Sequence, residues 1–101
     1  MWLLAMFDLP VDTPDARRYY AQFRKALLKN GFLMLQYSVY ARYFASEEAS
    51  AAYRQRVRQL LPPEGQVRLL AITDRQFGKM EVFYGKTQQE PEKPLKQMLL
   101  F

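Results

Sequence analysis

The strongest hydrophobic pattern is at the start of the chain, where six successive apolar residues end on a carboxylate. Residues 2–7 contain no polar side chain, and Asp8 and Pro10 follow. A run without alternation is typical of a strand that is buried on both faces. Proline has no backbone N–H for a sheet ladder, so pairing should stop near Pro10. The pattern therefore predicts a central strand that carries Asp8 where it emerges at the sheet edge.

An amphipathic helix is predicted between Thr13 and Asn30. Thr13 is a natural N-cap, Pro14 fits the first helical position, and Gly31 suits the left-handed terminator. One face of this helix is apolar: Ala16, Tyr19, Tyr20, Phe23, Ala26 and Leu27. The opposite face is basic and should meet solvent: Arg17, Arg18, Arg24, Lys25 and Lys29. The helix should pack its apolar face on the sheet.

The rest of the pattern predicts further strands, a second helix and a turn. These are a long second strand over 32–44, a helix capped by Ser46 that ends before Pro62, a largely buried strand over 67–73, a turn over 74–78, and a strand over 79–84 nearer an edge. We interpret the fold as α+β, with the ferredoxin-like βαββαβ order and an extra C-terminal strand. Residues 1–84 form the domain, 85–94 a polar linker and 95–101 the last strand.

A sheet-to-sheet homodimer is expected from two apolar surfaces. Helices on one side of the sheet leave the other face of the first and third strands uncovered, although both strands are apolar throughout. The apolar segment 95–101 could complete the sheet of the partner subunit as an edge strand. The alternative is that this segment folds back onto its own sheet.

Composition limits the chemistry, because the chain has no cysteine and no histidine. Disulfides, histidine-ligated zinc, a histidine base and a catalytic triad are therefore excluded. A metal would be held by oxygen, which favours Mg²⁺ or Mn²⁺. The first apolar run is too short to span a bilayer and lacks signal-peptide features, so we expect a cytoplasmic protein with no membrane partner.

The distribution of charge indicates a polyanionic partner. The net charge is +5, and residues 16–46 hold six cations and no anion. Nucleic acid is the expected partner, and a solvated, arginine-rich helix face is the alternative. The candidates for phosphate contact are Arg17, Arg18 and Arg42, followed by Arg24 and Lys25. Tyr40 or Tyr43 could stack on single strands, although core packing is the commoner role of such residues.

Several segments together resemble the smaller of the two core CRISPR adaptation proteins, the CRISPR-associated endoribonuclease numbered second in its nomenclature. The segments cover nearly the whole chain: Phe7-Asp8-Leu9-Pro10, Asp12-Thr13, Arg17-Arg18, Tyr20, Phe23-Arg24-Lys25, Asn30-Gly31-Phe32, Gln36-Tyr37-Ser38-Val39-Tyr40 and Thr73-Asp74-Arg75-Gln76-Phe77. The Gln-x-Ser-Val-Tyr and Thr-x-x-Gln-Phe segments are most similar to members that accompany type II-like systems.

The resemblance implies a ferredoxin-like homodimer with two functions. One is metal-dependent cleavage of RNA or DNA, in which Asp8 and its copy in the partner subunit bind one Mg²⁺ or Mn²⁺. The other is a non-catalytic adaptor that binds a larger integrase subunit and double-stranded DNA during spacer acquisition. A small-molecule-binding regulatory domain of the same fold is a third hypothesis, which would need a ligand pocket at the dimer interface.

The resemblance also assigns roles to residues around Asp8. Phe7 corresponds to an aromatic residue that flanks the aspartate, Tyr40 to an aromatic residue at the end of the second strand, and Arg17 and Arg18 to basic residues near the site. Many members have tyrosine at the position of Phe7, so a hydroxyl that could orient water is missing. Without the family, Asp8 could equally be a turn cap that bonds the following N–H groups.

Overall fold

A four-stranded antiparallel sheet with two long helices on one face forms the main body of the structure, a computed structural model that describes residues 1–94. The elements are β1 (Trp2–Asp8), α1 (Pro14–Lys29), β2 (Leu33–Gln36), β3 (Val39–Tyr43), α2 (Glu47–Gln59), β4 (Gln66–Ile72), α3 (Asp74–Gly78), β5 (Val82–Tyr84) and β6 (Thr87–Gln89). The strand order in the main sheet is β2-β3-β1-β4. The predicted ferredoxin-like βαββαβ order is thus confirmed, and it is formed by β1 to β4, with two strands in place of the single strand predicted over 32–44. The predicted last strand, 95–101, lies outside the described residues.

β1 is a central strand, as its unbroken apolar run predicts. It pairs antiparallel with β3 on one side and with β4 on the other. Leu3, Ala5 and Phe7 face the helices and pack with Phe23 of α1 and Val57 of α2. Alternate residues of a strand point to opposite faces, so Asp8 lies on the face away from both helices.

Both long helices begin at the predicted caps. The Thr13 side chain accepts a hydrogen bond from the Ala16 N–H at 3.0 Å, and Ser46 accepts one from Ala49 at 3.2 Å. These bonds satisfy N–H groups that have no partner within the helix. Gly31 follows α1 with a φ of 84°, which is the left-handed conformation expected of a helix terminator.

The predicted long strand over 32–44 is wrong, since the chain reverses in its middle. β2 and β3 pair as an antiparallel hairpin, with Met34 opposite Tyr40 and Gln36 opposite Val39. The turn contains Ser38 at a φ of 62°, a conformation that favours glycine or asparagine. Ser38 gave no such signal, so a continuous strand was expected. The Ser38 carbonyl also accepts a bond from the Phe7 N–H at 3.0 Å, which ties the turn to β1.

The face away from the long helices is partly covered by the chain itself. The segment predicted as a turn is the short helix α3, whose Phe77 ring stacks on Trp2 with centroids 4.0 Å apart. Trp2, Leu4, Ala41 and Phe77 form a second core cluster. Farther along this face, Arg68 and Leu70 are exposed. The whole face was expected to meet a partner subunit, whereas α3 covers the end that carries Trp2.

The last described strands differ from the prediction in their extent, their pairing and their burial. The strand expected over 79–84 is limited to Val82–Tyr84, and it pairs with β6 in a separate two-stranded sheet. β6 lies inside the range 85–94 that was expected to be a linker, and its polar sequence Thr87–Gln89 gave no strand signal.

β4 alternates between half-buried and exposed side chains, rather than being largely buried, because it is an edge strand of the main sheet. Among the described residues, no helix is long and apolar enough to cross a membrane.

Candidate functional site

Asp8 is the last residue of β1, and its side chain is exposed. In the antiparallel ladder it lies opposite Gln66 of β4, and Met6 lies opposite Arg68. A shallow hollow of about 200 Å³ is lined by Met6, Phe7, Asp8, Gln66 and Arg68. The carboxylate therefore lies at an open sheet end that a ligand can reach, as the apolar run followed by proline predicted.

Gly65 supports the backbone behind Asp8, a role that the sequence alone did not reveal. Its φ is 97°, and a Cβ atom there would come within 2.6 Å of the Leu9 Cδ2 and 2.8 Å of the Asp8 carbonyl oxygen. Only a residue without a side chain leaves room for the Asp8–Leu9 backbone at this distance. Its signal in the sequence is the Glu64-Gly65 pair before β4, which predicts a turn without showing what the turn touches.

Asp8 can contribute to a divalent-metal site without forming one alone. Among residues 1–94, no group of three or more acidic residues is arranged to hold a metal ion. Mg²⁺ is often bound by one or two carboxylates, with water and substrate phosphate supplying the other oxygens. The exposed carboxylate of Asp8 fits this kind of ligand set if a second carboxylate approaches it, as in a symmetric pair.

Phe7 and Tyr40 are core residues on the opposite side of β1 from Asp8. Their rings stack with centroids 5.6 Å apart, and Phe7 also meets Phe23 edge to face at 5.1 Å. Tyr40 is 1% exposed, and its hydroxyl accepts a hydrogen bond from Arg24 Nε at 2.9 Å. Both side chains therefore stabilise the end of the sheet. Phe7 also borders the hollow beside Asp8, whereas Tyr40 does not.

Arg17 and Arg18 lie in the first turns of α1, close in the chain to the end of β1. Arg17 donates to the Val11 carbonyl at 3.1 Å, and Arg18 pairs with Asp15 at 3.0 Å. Both arginine side chains remain exposed, and an exposed ion pair of this kind is weak. Lys25, farther along α1, is also exposed. These cations are available to a polyanion.

Arg42 is half-buried, unlike the exposed Arg17 and Arg18 of α1. It donates to the Asn30 carbonyl at 2.7 Å, and its guanidinium lies 4.0 Å from the Tyr53 ring centroid and 4.8 Å from that of Phe44. Gly31 leaves space for it, because a Cβ there would meet the guanidinium at 3.2 Å. Arg42 thus stabilises the C-terminus of α1, and the structure does not bring it together with Arg17 and Arg18.

A larger cleft of about 410 Å³ lies where the connection after β1 meets the start of α1. It is bordered by apolar, aromatic and acidic side chains: Leu9, Pro10, Asp12, Thr13, Asp15, Ala16, Tyr19, Tyr20, Pro63 and Glu64. The three carboxylates would repel a phosphate group. The cleft therefore does not extend the basic surface of α1.

Comparisons with known proteins agree with one another. Residues 1–80 match the family model described as CRISPR associated protein Cas2. A protein of Parvibaculum lavamentivorans named CRISPR-associated endoribonuclease Cas2 is 50% identical over 101 residues, which cover 100% of both chains. A protein of Flavobacterium psychrophilum with the same name is 46% identical, over 100% of this chain and 88% of the relative.

A solved structure supports the fold separately. The crystal structure of Streptococcus pyogenes Cas2 at pH 6.5 matches with a TM-score of 0.64 and covers 83% of this chain and 100% of that chain. The sequence identity is 16%, so this likeness concerns the fold alone.

Proposed function

The chain belongs to the Cas2 family of CRISPR-associated proteins, and we propose that it acts as a homodimeric, metal-dependent endoribonuclease and as an adaptor in spacer acquisition. The observation that carries the nuclease proposal is the exposed Asp8 carboxylate in a hollow at the end of β1. The names of the relatives support RNA cleavage as the reaction.

Dimerisation would bring two copies of Asp8 to one place. In the described part of one chain, Asp8 does not belong to a group of three potential metal ligands. Leu70 lies on the same face of the sheet and is 48% exposed, which favours burial of this face against a second copy. A two-fold axis through this surface would place the two Asp8 carboxylates near each other.

The paired carboxylates would hold Mg²⁺ or Mn²⁺, which in such sites activates water and neutralises the charge that develops on phosphate. Hydrolysis adds the oxygen of water to phosphorus, breaks the bond to the leaving oxygen and delivers a proton to that oxygen. The contribution of the chain is to hold Asp8 in place at an open sheet end. Gly65 and the buried Leu9 restrain the backbone on either side of this position.

Replacement of Asp8 tests the nuclease proposal. Asp8→Asn should abolish Mn²⁺-dependent cleavage of single-stranded RNA and leave dimer mass and duplex binding unchanged, because the metal loses its charged ligand. Asp12→Asn is the matched control, since Asp12 is an exposed acid four residues away. Cleavage by the Asp8 variant at the wild-type rate would contradict the proposal, and so would equal loss in both variants.

The adaptor proposal rests on the exposed cations of α1. Arg17 and Arg18 are accessible and near the end of β1, so they could contact the phosphates of double-stranded DNA. Phosphate contacts dominate such binding and make it dependent on salt. The larger integrase of the same adaptation system is the proposed protein partner, and co-purification of the two proteins would test it.

Replacement of Arg17 and Arg18 by glutamate tests whether these two arginines contact phosphates directly or whether the duplex is attracted only by the net charge of the protein. Arg17→Glu with Arg18→Glu should weaken duplex binding and reduce the slope of log K against log salt by about 0.9 for each phosphate that is no longer neutralised. Arg58→Glu is the control, because Arg58 is an exposed arginine on α2. An unchanged salt slope in the double variant would contradict the proposed role of these arginines.

A further inference from the structure

Tyr37 is a large aromatic side chain at the tip of the β2–β3 hairpin, and it is 74% exposed. One face of its ring stacks on Tyr20 of α1, with centroids 6.0 Å apart and an angle of 22° between the planes. The exposed fraction leaves the second face open to solvent. A half-stacked aromatic ring of this kind is a ready surface for another flat ring.

The turn that presents Tyr37 is held in an unfavourable conformation. Ser38 has a φ of 62°, which residues other than glycine rarely adopt. Two interactions maintain it: the Ser38 carbonyl accepts from the Phe7 N–H at 3.0 Å, and its hydroxyl lies 3.4 Å from that of Tyr20. Strained turns persist where the surroundings over-determine them, and they are common at ligand sites. The position of Tyr37 is therefore fixed before any ligand arrives.

Two arginines of α1 flank Tyr20, the residue on which Tyr37 stacks. Arg17 and Arg24 lie three residues before and four residues after Tyr20, so all three share one side of α1, although the sequence pattern predicted both arginines on the face opposite Tyr20. Each arginine uses one donor within the chain, Arg17 toward Val11 and Arg24 toward Tyr40. A guanidinium has five N–H donors, so both can still bind phosphate. An open aromatic face beside a helix side that carries two cations fits a nucleotide, whose base stacks while its phosphates pair with the cations.

We propose that Tyr37 is a stacking platform for an unpaired nucleobase, with Arg17 and Arg24 contacting the phosphates on its two sides. This inference rests on the proposed function, because it names the kind of nucleic acid that the basic surface takes. A base inside a duplex has both faces covered, so the platform selects single-stranded RNA or an unpaired overhang of a DNA duplex, and it does not bind a blunt duplex. Tyr37 lies at the same end of the sheet as Asp8, since Ser38 bonds to Phe7. A base stacked there is held at that end of the sheet.

The pKa of the Tyr37 phenol is raised from its ordinary value of 10.0, chiefly by hydrogen bonding with the Tyr20 side chain and by the charge of that group. A phenol of ordinary pKa is already neutral at physiological pH, and the upward shift keeps the Tyr37 ring neutral. A neutral ring stacks on a base without repelling the neighbouring phosphates.

The test compares three ligands by fluorescence anisotropy: single-stranded RNA, single-stranded DNA of the same sequence and the blunt DNA duplex. Tyr37→Leu should weaken single-strand binding at least about fivefold and leave duplex binding unchanged, since stacking on one base is lost. Tyr37→Phe should bind like the wild type, because it keeps the ring. Tyr84→Leu is the control, since Tyr84 is 66% exposed on β5 of the separate two-stranded sheet.

The binding results for the three ligands show which nucleic acid supplies the unpaired base. Loss confined to RNA supports the platform and identifies an RNA ligand, and loss for both single strands supports it for either chemistry. Equal loss with the duplex, or equal loss in Tyr84→Leu, would overturn the platform. A further variant, Tyr37→Trp, should show indole fluorescence that is quenched by single strands, and absence of quenching would also overturn it.

The results that would overturn the stacking platform differ from the results that would overturn the proposed function. If wild-type binding depends on salt and on Arg17 and Arg18 while Tyr37→Leu binds single strands normally, only the platform is overturned. If the wild type shows no salt-dependent binding of any nucleic acid, the adaptor and nuclease proposals fail with it.

Discussion

Gly65 and Gly78 show how differently two glycines of the same chain respond to an added methyl group. A Cβ at Gly65 would meet the Leu9 side chain and the Asp8 carbonyl, at 2.6 and 2.8 Å. A Cβ at Gly78 would meet nothing within 4 Å. Only Gly65 also has a positive φ, at 97°. The two positions therefore form a matched pair for testing how the backbone at Asp8 is supported.

Gly65→Ala should lower the free energy of unfolding by at least about 1 kcal/mol, since both the backbone strain and the close approach to the Asp8 carbonyl are unfavourable. Urea denaturation measures this decrease. Gly78→Ala should be neutral or stabilising by up to about 1 kcal/mol, because alanine restricts the unfolded chain. A Gly65 variant as stable as the wild type would show that the turn before β4 can shift away from Asp8.

The environment of each arginine decides its role, and this could not be read from the sequence. Arg17 and Arg42 both lie within the acid-free stretch, so both were predicted to bind phosphate. Arg42 is half-buried and contacts the Asn30 carbonyl and the rings of Phe44 and Tyr53, which come from separate parts of the chain, whereas Arg17 is exposed. Charge patterning shows where cations occur, whereas only the packing shows how exposed each cation is and which groups of the chain it contacts.

At the scale of elements, the Thr-x-x-Gln-Phe segment has a structural explanation. Thr73 and Gln76 form a reciprocal capping box, in which each side chain binds the backbone N–H of the other residue. This box starts the five-residue helix α3, which no hydrophobic period could have revealed. The next residue, Phe77, is then held against Trp2. The Thr-x-x-Gln-Phe segment thus covers one end of the sheet face that lies away from α1 and α2.

Thr73→Ala should lower the free energy of unfolding by about 1 kcal/mol, because an N-cap hydrogen bond is removed. The loss of this bond should also weaken the packing of α3 on Trp2. Trp2 is the single tryptophan, so its fluorescence should shift toward that of an exposed indole. Ser46→Ala removes the equivalent cap of α2 and should lose similar stability without the spectral change. An unchanged spectrum in the Thr73 variant would contradict the role of α3 as a cover.

Long helices and the central strand were predictable because their signals are local. Thr13, Ser46 and Gly31 act through their immediate neighbours in the chain, and the apolar run of β1 needs no partner to be recognised. The β2–β3 turn was missed because Ser38 adopts its positive φ through interactions with Phe7 and Tyr20, which are distant in sequence. The location of Asp8 followed from the strand, whereas the roles of Gly65 and Tyr37 depend on how separate elements pack together.

For the whole molecule, the two faces of the main sheet are covered unequally. The face toward α1 and α2 holds a continuous core that includes Leu3, Phe23 and Val57. The other face is covered by α3 at Trp2, but Leu70 and Arg68 are exposed beside the hollow that contains Asp8. The uncovered part is therefore the part next to the candidate site. A second copy of the chain placed there would bury apolar surface and pair the carboxylates at the same time.

Leu70→Glu should convert the proposed dimer into a monomer, because burying one charged carboxylate from each subunit in the interface is unfavourable. The domain itself should remain folded, since Leu70 is already 48% exposed. Leu28→Glu is the matched control: this leucine is 41% exposed on α1, which packs on the other face of the sheet. Sedimentation velocity measures the mass, and circular dichroism checks the fold.

Metal-dependent cleavage should disappear together with the dimer, since one chain supplies one Asp8. A wild-type monomer, or a cleaving monomer of the Leu70 variant, would contradict the paired site.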